Sequence, residues 1–183
     1  MTAPADLRDQ LKPYLPSAPA PPPIAVSKEE RARLDGLIKK HVADFVTRPG
    51  DPVKGQAVFN THCVSCHQVG GEGGLVGPQL DGIGTRGAER LCEDILDPNR
   101  NVDTHFLLSS ITMKDGTVAA GMVRGEPGAV VILTDIAGQE HRLQKDAIEK
   151  RETLPVSLMP AGFGERMSEV EFRNLLSWLL EQK

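Results

Sequence analysis

The chain has 183 residues, room for one domain or two small ones, and 39% are hydrophobic with only 4% aromatic, a lean supply for a core of this size. A formal net charge of −4 and a pI near 5.7 argue against a nucleic-acid partner, whose polyanionic backbone selects basic faces. No run approaches the ~20 apolar residues that a membrane helix requires, so no span is expected.

From Lys12 to Val26 the chain is dominated by Pro and Ala, including Pro21-Pro22-Pro23, which predicts an extended, semi-rigid linker over residues 1–26. Ser27 followed by Glu30 has the form of a capping box and opens an amphipathic helix within 27–50. Leu34, Leu37, Ile38, Val42, Phe45 and Val46 make its apolar stripe. Such a stripe must face something: its own domain, a domain upstream, or a twin chain, which would make a homodimer through this helix. Packing on its own domain is the expected outcome. His41 flanks the stripe and reads as a helix-surface residue. Pro49-Gly50-Asp51-Pro52 then breaks the chain.

Val53 to His62 reads as a short helix with Gly55 and Phe59 on one face. Cys63-Val64-Ser65-Cys66-His67 follows at once. Two thiols three positions apart, then an imidazole, form the C-x-x-C-H pattern of covalent haem attachment. On a helical turn both thiols can reach the two vinyl groups on one porphyrin edge, while His67 turns its ring to the iron. Zinc would need a second pair of soft ligands, and the third cysteine, Cys92, stands alone. It reads as a small buried hydrophobe on a helix over Glu89 to Leu96. A thioredoxin-like site would need a βαβ context, and the glycine-rich loop Gly70 to Gly74 follows instead. A buried macrocycle would also enlarge the lean core.

A metal-bound imidazole needs an acceptor for its second ring nitrogen, and the carbonyl of Pro78, in Gly77-Pro78-Gln79-Leu80, is the candidate. Further on, Phe106 to Thr112 and Thr117 to Arg124 read as strands joined at Lys114-Asp115-Gly116. Val130 to Thr134 and Glu140 to Leu143 read as two more, joined at Ala137-Gly138. These predict a small antiparallel, barrel-like β unit inserted at about residues 105–150. Ser168 caps a last helix whose buried side is Phe172, Leu175, Leu176, Trp178 and Leu179. Crossed with the Gly55–Phe59 helix, it would clamp the haem edge.

The sixth iron ligand decides the chemistry. Met159, in Leu158-Met159-Pro160-Ala161-Gly162 just before the last helix, is the favoured candidate, since a thioether closes the site and raises the potential. Met113 and Met122 fall among the strands, and Met167 borders the helix cap. His105 is the histidine rival; His62 and His141 read as solvated.

In order, Gly55, Val58-Phe59, Cys63-x-x-Cys66-His67, Gly77-Pro78-x-Leu80, Gly82-Ile83-Gly84, Ile95-Leu96-Asp97-Pro98-Asn99, Asp115-Gly116, Gly121, Met159-Pro160 and Leu175-Leu176-x-Trp178-Leu179 make a specific series. From about Asp51 to Lys183 the chain resembles the planctomycete and verrucomicrobial type of c-type cytochrome domain, within the cytochrome c superfamily. That type is often found at the C-terminus of large secreted dehydrogenases. The resemblance implies one haem c, axial ligands His67 and Met159, and electron transfer. His105 is a departure, since an aromatic often stands near Phe106 in that type.

The expected architecture is therefore mainly α: a class I-like cytochrome c fold over 51–183, with the β insertion and an N-terminal helical extension. The expected function is a one-electron relay, not itself an enzyme, serving a redox partner or fused dehydrogenase domain. The alternatives are a haem enzyme or gas sensor with an open or labile sixth position, and an interaction module that docks a partner through the β insertion and the early helix. Met1 to Gln10 lacks the basic start and apolar stretch of a leader. Because haem is attached covalently outside the cytoplasm, a leader or larger domain is expected upstream, with a periplasmic or otherwise exported location.

Overall fold

The computed structural model describes residues 26–183; the linker expected over 1–26 lies outside them, apart from Val26. Two compact units divide the described residues. One comprises 26–101 together with Met159–Lys183, and the other is the intervening Val102–Leu158.

The first unit is helical. Helix α1 (Lys28–Thr47) begins where Ser27 Oγ accepts the Glu30 N–H at 3.1 Å, with Glu29 and Glu30 in the favourable first turn. Leu34, Ile38 and His41, at helical spacing, are buried on one face. Ile38 belongs to the main core, and Leu37, Val42 and Phe45 pack against it. The stripe that offered a twin-chain face thus packs on the chain's own unit. Val46 lies off this face and is 71% exposed. His41 corrects the sequence expectation of a surface residue. It is 5% exposed and its ring lies 4.3 Å from that of Phe172. Its spacing from Leu34 and Ile38 places it within the stripe, where a neutral imidazole packs like an aromatic.

Helix α2 (Pro52–His62) starts at Asp51, whose side chain accepts from the Val53 N–H at 2.9 Å, with Pro52 fixing the first turn. Helix α3 (Gly87–Leu96) buries Leu91, Cys92, Ile95 and Leu96. The short α4 (Phe163–Arg166) leads to α5 (Glu169–Glu181), which opens with a capping box between Ser168 and Glu171. Helices α2 and α5 cross closely. A Cβ on Gly55 would stand 2.0 Å from the Asn174 carbonyl oxygen, so only glycine permits this approach. Phe59 and Trp178 fill the crossing with ring centroids 4.5 Å apart. Buried Asn174 accepts the Asp51 N–H at 2.8 Å, and Ser177 Oγ donates to the Gly50 carbonyl at 3.0 Å. Two side chains of α5 thereby hold both ends of the Gly50–Asp51 peptide group.

Ion pairs join α1 to its neighbours. Asp97, 6% exposed, accepts from Arg31 Nη1 at 2.7 Å and Arg100 Nε at 2.8 Å, while Arg100 also reaches Asp35. Asp44 pairs with Arg173 of α5, and the Arg173 and Arg48 guanidiniums hold its carboxyl below the usual range.

The second unit is an antiparallel sheet of β3 (Leu107–Met113), β4 (Val118–Gly125), β5 (Val130–Thr134), β6 (Glu140–Gln144) and β7 (Ile148–Ser157), in the order β6-β5-β4-β3-β7. Mainly α therefore describes the first unit and not the second. The barrel-like expectation is also corrected: the order is open, with β6 and β7 as its edges. Register shifts at Leu107/Leu108, Thr112/Met113 and Val123/Gly125 add twist, and Ile111, Val131 and Leu133 make a small core. The sequence reading gives no strand at β7, because a run so rich in charge and containing Pro155 lacks the usual strand pattern. Both features suit an edge, where exposed backbone must be kept from foreign pairing. No helix among the described residues is long and apolar enough to cross a membrane.

Two outcomes follow for α1. Ile38→Ala should lower the unfolding free energy by about 3 kcal/mol, and Val46→Ala by under about 0.5, in urea titrations. Burial, reinforced by Lys40 and opposed by Glu169 and Asp44, depresses the His41 pKa from 6.5. Between that value and the depressed one the unfolded chain binds the extra proton, so this histidine's contribution to stability falls as pH drops through 6.5. Melting curves of the wild type and His41→Leu should diverge in that window, with the variant showing the shallower decline.

Candidate haem-attachment site

Helix α2 carries straight into the motif. The Cys63 N–H donates to Phe59 O at 2.8 Å, and the Cys66 and His67 N–H groups donate to Cys63 O at 3.0 and 2.9 Å. This extra turn holds the two thiols three residues apart, next to the imidazole. Both are free thiols, and Cys63 packs against the main core. Burial, with a smaller contribution from Cys66, pushes the Cys63 thiol up to about 12, so it stays protonated. Cys92 is fully buried, its thiol pushed up to about 12 by burial, which makes it an inert core residue.

His67 is held by its second ring nitrogen. Nδ1 lies 2.9 Å from the Pro78 carbonyl, an acceptor, so the proton is assigned to Nδ1 and the Nε2 lone pair is left for a ligand bond. Burial lowers the His67 pKa and the Pro78 hydrogen bond opposes it, favouring the neutral ring that a metal needs. Gly77 supports the ring from its side. A Cβ there would stand 2.6 Å from Cε1, 2.9 Å from Nδ1 and 3.1 Å from Nε2 of His67.

The loop after the motif is folded back onto it. Strands β1 (Gln68–Val69) and β2 (Glu72–Gly73) form a minimal hairpin. The N–H groups of Gly74 and Gly77 donate to Val64 O at 2.8 Å and Cys66 O at 2.7 Å. Asp81 Oδ1 accepts from the Gly70 N–H at 2.7 Å. Sequence reasoning misses Asp81 and the packing role of Gly77; the Gly-Pro pair is the only signal for either. Val64, Val69, Leu80 and Ile83, like Cys63, are partly buried and pack against the main core. Free thiols, an imidazole with one nitrogen satisfied, a glycine cradle and an apolar surround fit a covalently held porphyrin.

Met159 is partly buried and packs against the same core as Cys63. Met167 is fully inside that core. Met113 packs on the small core of the strand unit, and Met122 is buried on β4. His105 is exposed, with Nδ1 2.8 Å from Asp103 Oδ1. His141 Nε2 lies 2.7 Å from Asp135 Oδ2, and His62 is half-buried at the end of α2. Among the described residues no three His, Cys, Asp or Glu side chains cluster as a metal-binding set.

Residues 52–122 match the family model described as Cytochrome c. The match takes in α2, the C-x-x-C-H turn, the hairpin loop, α3 and the start of the sheet, and leaves α1, Met159 and α5 outside. A search of curated proteins finds no match to the chain.

Gly77→Ala should displace the His67 ring and weaken its bond to Pro78. The expected signs are loss of the protected Nδ1–H resonance in imidazole NMR and destabilisation of about 1–3 kcal/mol.

Proposed function

With a cytochrome c domain at residues 52–122 as its premise, we propose that the chain is a one-electron carrier. It holds one haem c covalently through Cys63 and Cys66, with His67 and Met159 as axial ligands. The observation that carries this is the His67 ring, fixed by the Pro78 carbonyl with Nε2 left open, on the turn that also presents two free thiols. Bound haem would supply an iron that gains and loses one electron without any other bond changing.

The chain's own residues set the terms of that exchange. Pro78 fixes the tautomer and the plane of His67 and raises its basicity. Gly77 lets the loop close on the ring, and the core side chains packed with Cys63 would keep water from a bound porphyrin. Met159, at the head of the loop that returns to α5, would supply a soft sulfur that favours the reduced metal. His105, turned to Asp103, gives no support to a distal acid–base role.

The chain further fits the planctomycete and verrucomicrobial type, working outside the cytoplasm and relaying electrons for a dehydrogenase, as a fused domain or a soluble partner. Its motif series supports that assignment.

Protein matured in a host that ligates haem should keep its colour on a denaturing gel, and Cys63→Ala or Cys66→Ala should reduce the haem retained. The oxidised form should show the weak far-red sulfur-to-iron band. Met159→Ala should abolish it and lower the potential, while Met167→Ala leaves it in place. Rapid carbon monoxide binding by the reduced wild type would instead place an open or labile position on the metal and overturn the carrier.

A further inference from the structure

Between Lys54 and Arg86 the chain carries no lysine or arginine, and the same holds from Met159 to the residue before Arg166. These stretches contain all five residues assigned to the haem. The cations lie elsewhere: α1 alone has Lys28, Arg31, Arg33, Lys39 and Lys40. On the loop that folds back on the attachment turn, the exposed charges are the carboxylates Glu72 and Asp81.

Leu75 stands in the middle of that loop. The Gly74 and Gly77 N–H groups bond to the carbonyls of Val64 and Cys66, so Leu75-Val76 is a two-residue arch pinned at both ends to the attachment turn. Val76 points inward and is 6% exposed, while Leu75 is 60% exposed. A single exposed leucine is ordinary on a protein surface. This one differs because the backbone on either side of it is tied by hydrogen bonds to the carbonyls of Val64 and Cys66, so covering it costs little ordering entropy. A rigid apolar anchor with neutral small residues around it and carboxylates at its margin has the make-up of a docking face.

We infer that the arch at Leu75 is the contact surface for the electron-transfer partner, and that this partner presents an apolar centre rimmed by lysine or arginine. The inference rests on the carrier function proposed above and adds the partner's chemistry to it. Glu72 and Asp81 would steer a basic face to the arch and leave an acidic one without a counter-charge.

Haem-loaded protein is titrated with two soluble redox proteins as probes, one with a lysine ring at its metal edge and one with carboxylates there. Binding is followed by calorimetry, and electron transfer by stopped flow. The lysine-ringed probe should bind more tightly, and its advantage should shrink as salt rises from about 10 to about 200 mM. Leu75→Ser should weaken that binding about tenfold at every salt concentration. Glu72→Gln should weaken it about twofold at low salt only. Haem content, the far-red band and reduction by hydroquinone should stay as in the wild type. Equal binding of both probes, or a Leu75→Ser variant that binds normally, overturns the inference. So does a Leu75→Ser variant whose spectrum changes, since Leu75 would then be sealing the haem. If the wild type retains no haem, or hydroquinone cannot reduce it, the carrier function itself fails.

Discussion

The approach of α2 to α5 at Gly55 governs the helical unit. A hydrogen in place of a methyl at that position lets the α2 backbone come against the Asn174 carbonyl, and everything downstream is measured from there. Asn174 and Ser177 grip the Gly50–Asp51 peptide, Asp51 caps α2, and α2 runs without a break into the turn that carries Cys63, Cys66 and His67. A two-thiol attachment to a rigid ring tolerates little error in the placement of either sulfur. The crossing sets that placement before any ligand contributes, and Phe59 and Trp178 lock it with a ring contact that cannot slide without loss of packing.

Helix α1 lies before the stretch that matches the family model, yet it is built into the same core. Its Leu34–Ile38–His41 face and its pairs to Asp97, Arg100 and Arg173 brace α3 and α5 from outside the matched region. This answers a shortage visible in the composition. A chain with few aromatics gains core here from an added amphipathic helix, and from the imidazole of His41 packed at a tilt on Phe172 as though it were a phenyl ring. The ion pairs add direction more than energy, because Arg31 can reach Asp97 while Asp35 reaches Arg100 only when α1 lies in one register along α3.

Local chemistry carried much of this into the sequence. Ser27 and Ser168 announce their helices because a cap is a contact across three residues, and the C-x-x-C-H turn is legible because its two thiols and imidazole lie within five residues. Gly55 as the crossing residue was legible for the same reason, since glycine opposite aromatics on paired helices has few other uses. His41 was opaque: a polar residue beside a stripe reads as its border, and only Phe172 of α5 packed against it makes it interior. Strand β7 was opaque for a different reason. Its partner β3 lies some forty positions earlier in the chain, and nothing in its charged run shows that a sheet edge is waiting. The loop hydrogen bonds of Gly74, Gly77 and Asp81 also escaped, because backbone clamps depend on how the chain folds back and leave almost no trace in side-chain identity.

The helical unit is discontinuous in the chain, whereas the sheet is not. Asp51 and the Asn174 that secures it are 123 positions apart. During synthesis the attachment turn therefore emerges well before the helix that will close over its foundation, and the strands can assemble from contiguous chain in the interval. For that period α2 has its thiols in place but no aromatic partner across from Phe59. The order built into the polypeptide puts the C-x-x-C-H turn early and the aromatic partner of its helix last, so the C-terminal segment is the piece that completes the helical unit.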